Sequence, residues 1–146
     1  MMVGGNKMRM FKQGTIFPAA LAILLTSAGV VRSQTIQITS DPLIITGTAS
    51  GTQASQGCGM MGATPNHVIN LDRNYSYLRF SLQGAGQPTL LIQGPNGSSS
   101  CVQADKLSGG KVEAPGYWEK GSYSVSVGNR ESGQHPYTLT ITQKRN

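Results

Sequence analysis

The sequence predicts an all-β protein: an antiparallel β-sandwich of jelly-roll-like form with seven or eight short strands. Two observations predict this class. Residues 122–127 and 137–142 alternate apolar side chains with serine or threonine, which is the period of a strand that has one face on a core and one in water. From residue 34 onward glycine and proline recur, and no apolar stripe with the period of a helix is longer than two turns.

The first 33 residues are predicted to be a cleavable signal peptide. An apolar run over residues 16–31 is short for a membrane span, which needs about 20 residues. Small or tolerated side chains place cleavage after Ser33, with Ala28 as a second choice. The alternative to a signal peptide is an N-terminal anchor that is not cleaved. Before the run the chain has only basic charges, which are Lys7, Arg9 and Lys12.

The remaining residues, 34–146, are predicted to form a single periplasmic or secreted domain that leaves the membrane after cleavage. Four of the twelve basic residues precede residue 34, so this part holds eight basic and six acidic residues, a net charge of +2. The high isoelectric point is therefore largely an effect of the leader, and a nucleic-acid partner is not expected.

The two cysteines, Cys58 and Cys101, both fall in the predicted domain. In an exported protein such a pair is most simply a disulfide. Two free thiols or half of a metal site are the alternatives, but cysteines 43 positions apart lack metal-ligand spacing.

The remaining elements follow from the same alternation and from turn residues. Residues 49–62, rich in serine, glycine and glutamine, are predicted to be a loop, and 128–133 the connection of a hairpin between the last two strands. Strands are predicted at 35–39, 43–48, 66–71, 75–83, 89–93, 122–127 and 137–142, with weaker strand segments around 101–102 and at 111–114. Predicted core side chains are Leu78, Phe80, Leu82, Tyr123, Val125, Val127, Tyr137, Leu139 and Ile141.

Residues 66–142 resemble the bacterial pre-peptidase C-terminal (PPC) domain group. The likeness is carried by T-L-L-I-x-G-P-N-G over residues 89–97 and W-x-x-G-S-Y-S-V-S-V-G over residues 118–128, in that order. The resemblance implies a small β-sandwich of the kind commonly appended to secreted proteases and other exoenzymes, here in a free-standing exported version.

Some domains of that group bind calcium through carboxylates that this chain lacks. The corresponding positions hold Gln87 and the Gln103-Ala104-Asp105 stretch, which leaves Asp105 as the only carboxylate. Calcium takes six to eight oxygen ligands, several of them carboxylates. The sequence therefore predicts no metal and no other cofactor.

Catalytic patterns are also missing from the sequence. The histidines, His67 and His135, fall at a strand start and in a loop, and no G-x-S-x-G elbow is present. Nearly all of the six acids fall in predicted turns, where solvated carboxylates are common. We therefore predict that the chain is not an enzyme.

Aromatic residues are the candidates for ligand binding: Tyr75, Tyr77, Tyr117 and Trp118. Exposed aromatic rings stack on sugars or anchor protein partners. Trp118 has an alternative interpretation as a plug at one end of the sandwich, because large aromatic side chains are usually well buried. The sequence thus favours an exported non-catalytic domain in protein binding or envelope assembly, with a polysaccharide-binding module as the alternative and a hydrolase as a less favoured one.

Overall fold

The computed structural model describes residues 35–146, and the predicted signal peptide at 1–33 lies outside these residues. Within them no helix is long and apolar enough to cross a membrane. The strands are β1 Thr35–Gln37, β2 Leu43–Ala49, β3 Gln53–Ala54, β4 Met60–Met61, β5 His67–Leu71, β6 Tyr75–Gly84, β7 Pro88–Gln93, β8 Ser99–Gln103, β9 Lys111–Trp118, β10 Gly121–Asn129 and β11 His135–Thr142.

The strands form two sheets, which confirms the predicted β-sandwich class. In the small sheet the order is β2-β11-β6-β9. In the large sheet β10 pairs with β5 on one edge and with β7 on the other, β8 continues beyond β7, and β1 continues beyond β5. Two details differ from the prediction: the described residues hold eleven strands, and β1 pairs with β5 in parallel.

The hairpin predicted between the last two strands is wrong. β10 belongs to the large sheet and β11 to the small one, so residues 130–134 cross from one sheet to the other. The predicted faces are right, because Tyr123, Val125 and Val127 on β10 face the core with at most 5% exposure. Alternation predicts which face of a strand is buried. It does not predict which sheet the strand joins, because both sheets of a sandwich bury one face.

The core lies between the two sheets and has the predicted composition. Leu78, Phe80 and Leu82 of β6 are fully buried. They pack against a cluster that includes Ile69, Leu71, Leu90, Ile92, Val112, Tyr137, Leu139 and Ile141.

Residues 49–62 are predicted to be a loop, but Ala49 ends β2, and residues 50–62 include the two-residue strands β3 and β4, which add to the large sheet where β4 pairs with the end of β10. The predicted disulfide between Cys58 and Cys101 is confirmed, and it joins this segment to β8. The fully buried Thr89 donates a hydrogen bond of 2.7 Å from Oγ1 to the carbonyl of Cys58. At Gly128 an added Cβ would lie 2.6 Å from the Met60 carbonyl, so only glycine permits this approach.

Asn129, only 3% exposed, holds two loops together at one end of the sandwich. Its Oδ1 accepts hydrogen bonds from the backbone N–H groups of Gln87 at 3.1 Å and Glu131 at 2.9 Å. Its Nδ2 donates to the carbonyl of Ala85 at 2.9 Å. Every polar atom of the side chain therefore has a partner.

We expect Asn129→Asp to lower the free energy of unfolding by about 2–4 kcal/mol, because a carboxylate oxygen would then face the Ala85 carbonyl in a buried position. Urea unfolding of the variant and the unchanged protein measures the difference. Gln134→Glu, an exposed change in the same loop, is the matched control and should cost less than about 0.5 kcal/mol. Equal stability of the two variants would contradict the role of the Asn129 side chain.

His67 on β5 and Tyr137 on β11 connect the two sheets. The His67 Nε2 and the Tyr137 hydroxyl are 2.7 Å apart, and the rings meet edge to face with centroids 6.0 Å apart. Burial lowers the pKa of His67 from 6.5, since the charged imidazolium loses solvent in this position. The folded state therefore favours neutral His67.

We expect the free energy of unfolding to fall as the pH drops below about 6.5, because His67 takes up its proton first in the unfolded chain. The fall should level off once the pH is below the lowered pKa of His67 in the folded state. Urea unfolding between about pH 7.5 and about pH 5 tests this. His67→Gln should flatten the curve. A His67→Gln curve that keeps the slope would contradict the assignment.

Candidate functional site

An open cleft of about 380 Å³ lies where the β7–β8 turn approaches the end of β9 and the start of β10. We call it the Tyr117 cleft. One wall is the segment 94–100, which includes a short 3-10 turn at Pro95–Gly97, and the other is 117–123. Its lining comprises Ile92, Gly94, Pro95, Asn96, Ser98, Ser99, Ser100, Tyr117, Trp118, Glu119 and Tyr123.

Trp118 lies partly under the cleft and packs on the core. Its indole Nε1–H donates to the Leu78 carbonyl at 2.9 Å, and its ring centroid lies 4.6 Å from that of Phe80 and 5.3 Å from that of Tyr123. The structure thus agrees with the interpretation of Trp118 as a plug. The sequence predicts that this strand ends at Ala114 and that Tyr117 and Trp118 follow in a loop. This prediction is wrong, because β9 runs eight residues to Trp118. Pro95 lies against the start of β10, so the two walls touch at one end.

Tyr123 forms the inner side of the cleft. Its hydroxyl donates to the Glu119 carbonyl at 2.8 Å. Burial and, to a lesser extent, the nearby Glu119 carboxylate raise the pKa of Tyr123, so the hydroxyl remains a proton donor. This hydrogen bond fixes the tight β9–β10 connection that carries Glu119.

Tyr117 stands at the rim of the cleft with 59% of its surface exposed. Among the large apolar or aromatic side chains of residues 35–146, only Ile44 and Leu107 share this degree of exposure. Neither of these lines the cleft. Tyr117 is therefore the aromatic group there that a ligand can reach directly.

The β6–β9 pairing brings the four predicted aromatic residues together. Tyr75 pairs with Trp118, and Leu78 pairs with Gly116, with a register shift between them, so Tyr77 lies beside Tyr117. Tyr75 is only 5% exposed and its hydroxyl donates to Asp72 at 3.0 Å, so its prediction as an exposed ligand-binding residue is wrong. The register shift turns Tyr75 inward while Tyr77 stays on the outer face.

The histidines lie apart from any nucleophile pattern in the described residues. His67 bonds to the Tyr137 hydroxyl, and His135 Nε2 donates to the backbone carbonyls of Glu131 at 3.2 Å and Ser132 at 2.9 Å. None of these partners is a serine hydroxyl or a carboxylate. The geometry of a serine hydrolase is therefore not formed around either histidine.

A second pocket, of about 400 Å³, lies between residues 84–87 and the loop that follows β8. Asp105, the one carboxylate left at the position where related domains bind calcium, lines it together with Glu131, which the sequence did not connect with Asp105. The Asp105 Oδ1 already accepts a hydrogen bond from the Leu107 N–H. Residues 35–146 hold no group of three or more metal-ligating side chains, and the absence of a metal stays a prediction.

Comparison with known proteins identifies a sequence relative and a solved structure with a similar fold. No protein-family model matches the chain. An uncharacterised protein of Synechococcus elongatus is 34% identical over 128 residues, which cover 85% of this chain and 90% of that protein. This chain belongs to its family. That relative is uncharacterised, so the match assigns no activity to this chain.

The solved pre-peptidase C-terminal domain of a collagenase from Bacillus anthracis has a similar fold. Its TM-score is 0.52 at 17% identity, and the match covers 76% of this chain and 97% of that domain. The structure therefore supports the PPC-like fold, and at this identity the likeness is one of fold alone. Together with the Cys58–Cys101 disulfide, that fold is compatible with an exported member of the family.

Sequence reasoning missed the polar wall of the Tyr117 cleft. Asn96 appears in the sequence analysis only within the motif at residues 89–97, and Ser98–Ser100 are not among its candidate residues. No local pattern places these residues beside Tyr117, because their position depends on the pairing of β8 with β7 and of β7 with β10.

Proposed function

We propose that the chain is an exported, non-catalytic binding domain and that the Tyr117 cleft binds a polysaccharide. The observation that carries the proposal is the exposed ring of Tyr117 on the rim of an open cleft whose opposite wall is polar. Export is supported by the N-terminal pattern of residues 1–33 and by the disulfide.

The lining suits a sugar ring in two ways. The face of Tyr117 offers an apolar, electron-rich surface for the C–H groups of a pyranose. Across the cleft the hydroxyls of Ser98–Ser100 and the amide of Asn96 offer hydrogen-bond donors and acceptors for sugar hydroxyls, with the Glu119 carboxylate as a further acceptor.

The supports of the cleft are fixed before a ligand arrives. In the β7–β8 turn, the Gly94 N–H donates to the Ser98 carbonyl and the Ser98 N–H donates to the Pro95 carbonyl. Trp118 is held by its bond to Leu78. A site built on such ordered elements loses little conformational entropy on binding.

Trp118, the single tryptophan, reports directly on this site. Titration with soluble neutral and acidic polysaccharides should change its emission, and Tyr117→Ala should weaken binding by about 2 kcal/mol, roughly 30-fold. Leu107→Ala, which removes a strongly exposed side chain that does not line the cleft, is the control and should bind normally. Unchanged binding by Tyr117→Ala, or no response to any polysaccharide, would contradict the proposal.

A protein ligand is the second candidate, favoured by the free edge of β8. Within residues 35–146, β8 pairs with β7 alone, and its sequence S-S-C-V-Q contains no charge and no proline. The bonds from Gly94 N–H to Ser98 and from Ala104 N–H to Pro88 show that even-numbered residues face β7, so Ser99, Cys101 and Gln103 direct backbone groups outward. Such an edge can accept an extended peptide as an added strand.

Ser99→Pro tests this candidate because it removes one outward N–H, whereas Ser99→Ala keeps it. If an envelope protein is captured by strand addition, Ser99→Pro should lose it and Ser99→Ala should retain it. Capture by both variants, or by neither, would remove the support for a protein ligand at this edge.

A further inference from the structure

We infer that the polysaccharide is acidic and that Arg79 and Arg145, beside Tyr77, bind its carboxylate or sulfate groups. This inference rests on the proposed function and names the chemical class of its ligand. We call the three residues the Tyr77 patch. It borders the Tyr117 cleft because Tyr77 and Tyr117 both lie between the Tyr75–Trp118 and Leu78–Gly116 pairs, where β6 and β9 shift register.

The patch lies on the outer face of the small sheet. Tyr77 and Arg79 flank the fully buried Leu78, so both point away from the core. The Arg145 guanidinium carbon lies 4.3 Å from the centroid of the Tyr77 ring, within cation–π distance. This contact places the Arg145 side chain over the outer face of the small sheet.

Arg79 has charge and donors that the described part of the chain does not use. Its Nε is buried and has no hydrogen-bond partner, and the salt bridge in residues 35–146 joins Lys111 to Glu113 instead. A planar guanidinium presents paired N–H donors that match the two oxygens of a carboxylate or sulfate. An anionic group on a ligand would pair with the Arg79 guanidinium at its terminal nitrogens, because the buried Nε is not exposed to a ligand.

The carboxylate of Asp41 lies at the same end of the small sheet but is already engaged. It accepts hydrogen bonds from the Thr142 hydroxyl at 2.6 Å and from the Gln143 N–H at 3.2 Å. Thr142 is the β11 neighbour of Arg79. Asp41 thus lowers the local positive potential without forming an ion pair with Arg79.

The spacing of the two parts fits a chain of sugars. Neighbouring strands lie about 4.8 Å apart, comparable to the size of one sugar ring. A sugar stacked on Tyr117 of β9 would therefore place its acidic group, or that of the next sugar, over Tyr77 and Arg79 of β6. Aromatic stacking and charge would act on the same ligand.

The test titrates the protein with alginate and dextran sulfate as acidic probes and with laminarin and dextran as neutral ones, at about 50 mM and about 500 mM sodium chloride. We expect the acidic probes to bind at least about tenfold more tightly at low salt and to lose most of that advantage at high salt. Arg79→Gln and Arg145→Gln should each weaken acidic binding about three- to tenfold and leave neutral binding unchanged.

Two further variants keep the result decisive. Lys106→Gln removes a positive charge in the loop after β8, outside the Tyr77 patch, and should change acidic binding less than about twofold. Arg79→Lys keeps the charge without the planar donor pair and should give intermediate binding, which separates recognition from a loss of folding.

The outcomes distinguish the inference from the function on which it rests. Equal binding of neutral and acidic probes, with loss only in Tyr117→Ala, would overturn the acidic ligand and leave the cleft function standing. Equal losses in Lys106→Gln and Arg79→Gln would also overturn it, because general charge would then explain the binding. Failure of every probe would overturn the proposed function itself.

Discussion

Replacing Cys58 and Cys101 together by serine is expected to lower the free energy of unfolding by about 4 kcal/mol. The disulfide joins residues 43 apart in sequence, and its loss frees a long loop in the unfolded chain. The folded state would keep the Thr89 hydrogen bond to the Cys58 carbonyl and the close contact of Met60 with Gly128. The variant should therefore fold with a lower urea midpoint.

Urea unfolding of the unchanged protein with and without reductant is the control for this prediction. Reductant should lower the midpoint of the unchanged protein to near that of the serine variant and should leave the variant unaffected. A loss below about 1 kcal/mol would show that contacts of residues 50–62 hold this segment without the covalent bond.

Trp118→Ala is the second large change, with an expected loss of about 3–5 kcal/mol. It would remove the ring that packs against Phe80 and Tyr123 and would leave the Leu78 carbonyl without its indole donor. Trp118→Phe should cost less, because an aromatic ring would stay in place and mainly the hydrogen bond would be lost.

Tyr117→Ala is the matched control for Trp118, since it removes the adjacent aromatic side chain at 59% exposure. It should change the free energy of unfolding by less than about 0.5 kcal/mol. Chemical denaturation followed by circular dichroism, which does not depend on tryptophan emission, measures all three variants. Similar losses for Tyr117→Ala and Trp118→Ala would contradict the division between a ligand-facing Tyr117 and a structural Trp118.

Strand faces could be predicted from the sequence, and strand partners could not. The periodicity of β6, β10 and β11 placed their buried side chains correctly, because burial of alternate residues is a local property of a strand. The partner of β11 is β6 on one side and β2 on the other, both distant in sequence. The short polar connection between β10 and β11 suggests a hairpin. In a sandwich such a connection can also cross from one sheet to the other.

The extra strands had weak signals for a different reason. β3 and β4 are two residues each, and β4 pairs with β10 where the disulfide and Thr89 hold residues 50–62 against the sheet. β9 extends past Pro115 and Gly116 because it pairs with β6 along this stretch. It is an edge strand of the small sheet, where proline and glycine are tolerated. Local propensity does not contain these tertiary contacts.

For the candidate site, residue identity was predictable and orientation was not. Tyr77, Tyr117 and Trp118 do lie together, but the register shift between β6 and β9 decides that Tyr75 and Trp118 turn inward and that Tyr117 stays exposed. The contact of Arg145 with Tyr77 joins residues 68 apart in sequence, which no local pattern records.

Amide chemical-shift mapping by NMR during titration with a soluble acidic polysaccharide tests the central claim most directly, namely that the Tyr117 cleft binds a polysaccharide. The account predicts shifts that cluster at Asn96, Ser98–Ser100 and Tyr117–Glu119 and extend to Tyr77 and Arg79, with little change in β3 and β4. Tyr117→Ala should lose these shifts while its spectrum remains that of a folded protein. Shifts confined to the β8 edge or to other surfaces, or a full response in Tyr117→Ala, would contradict the account.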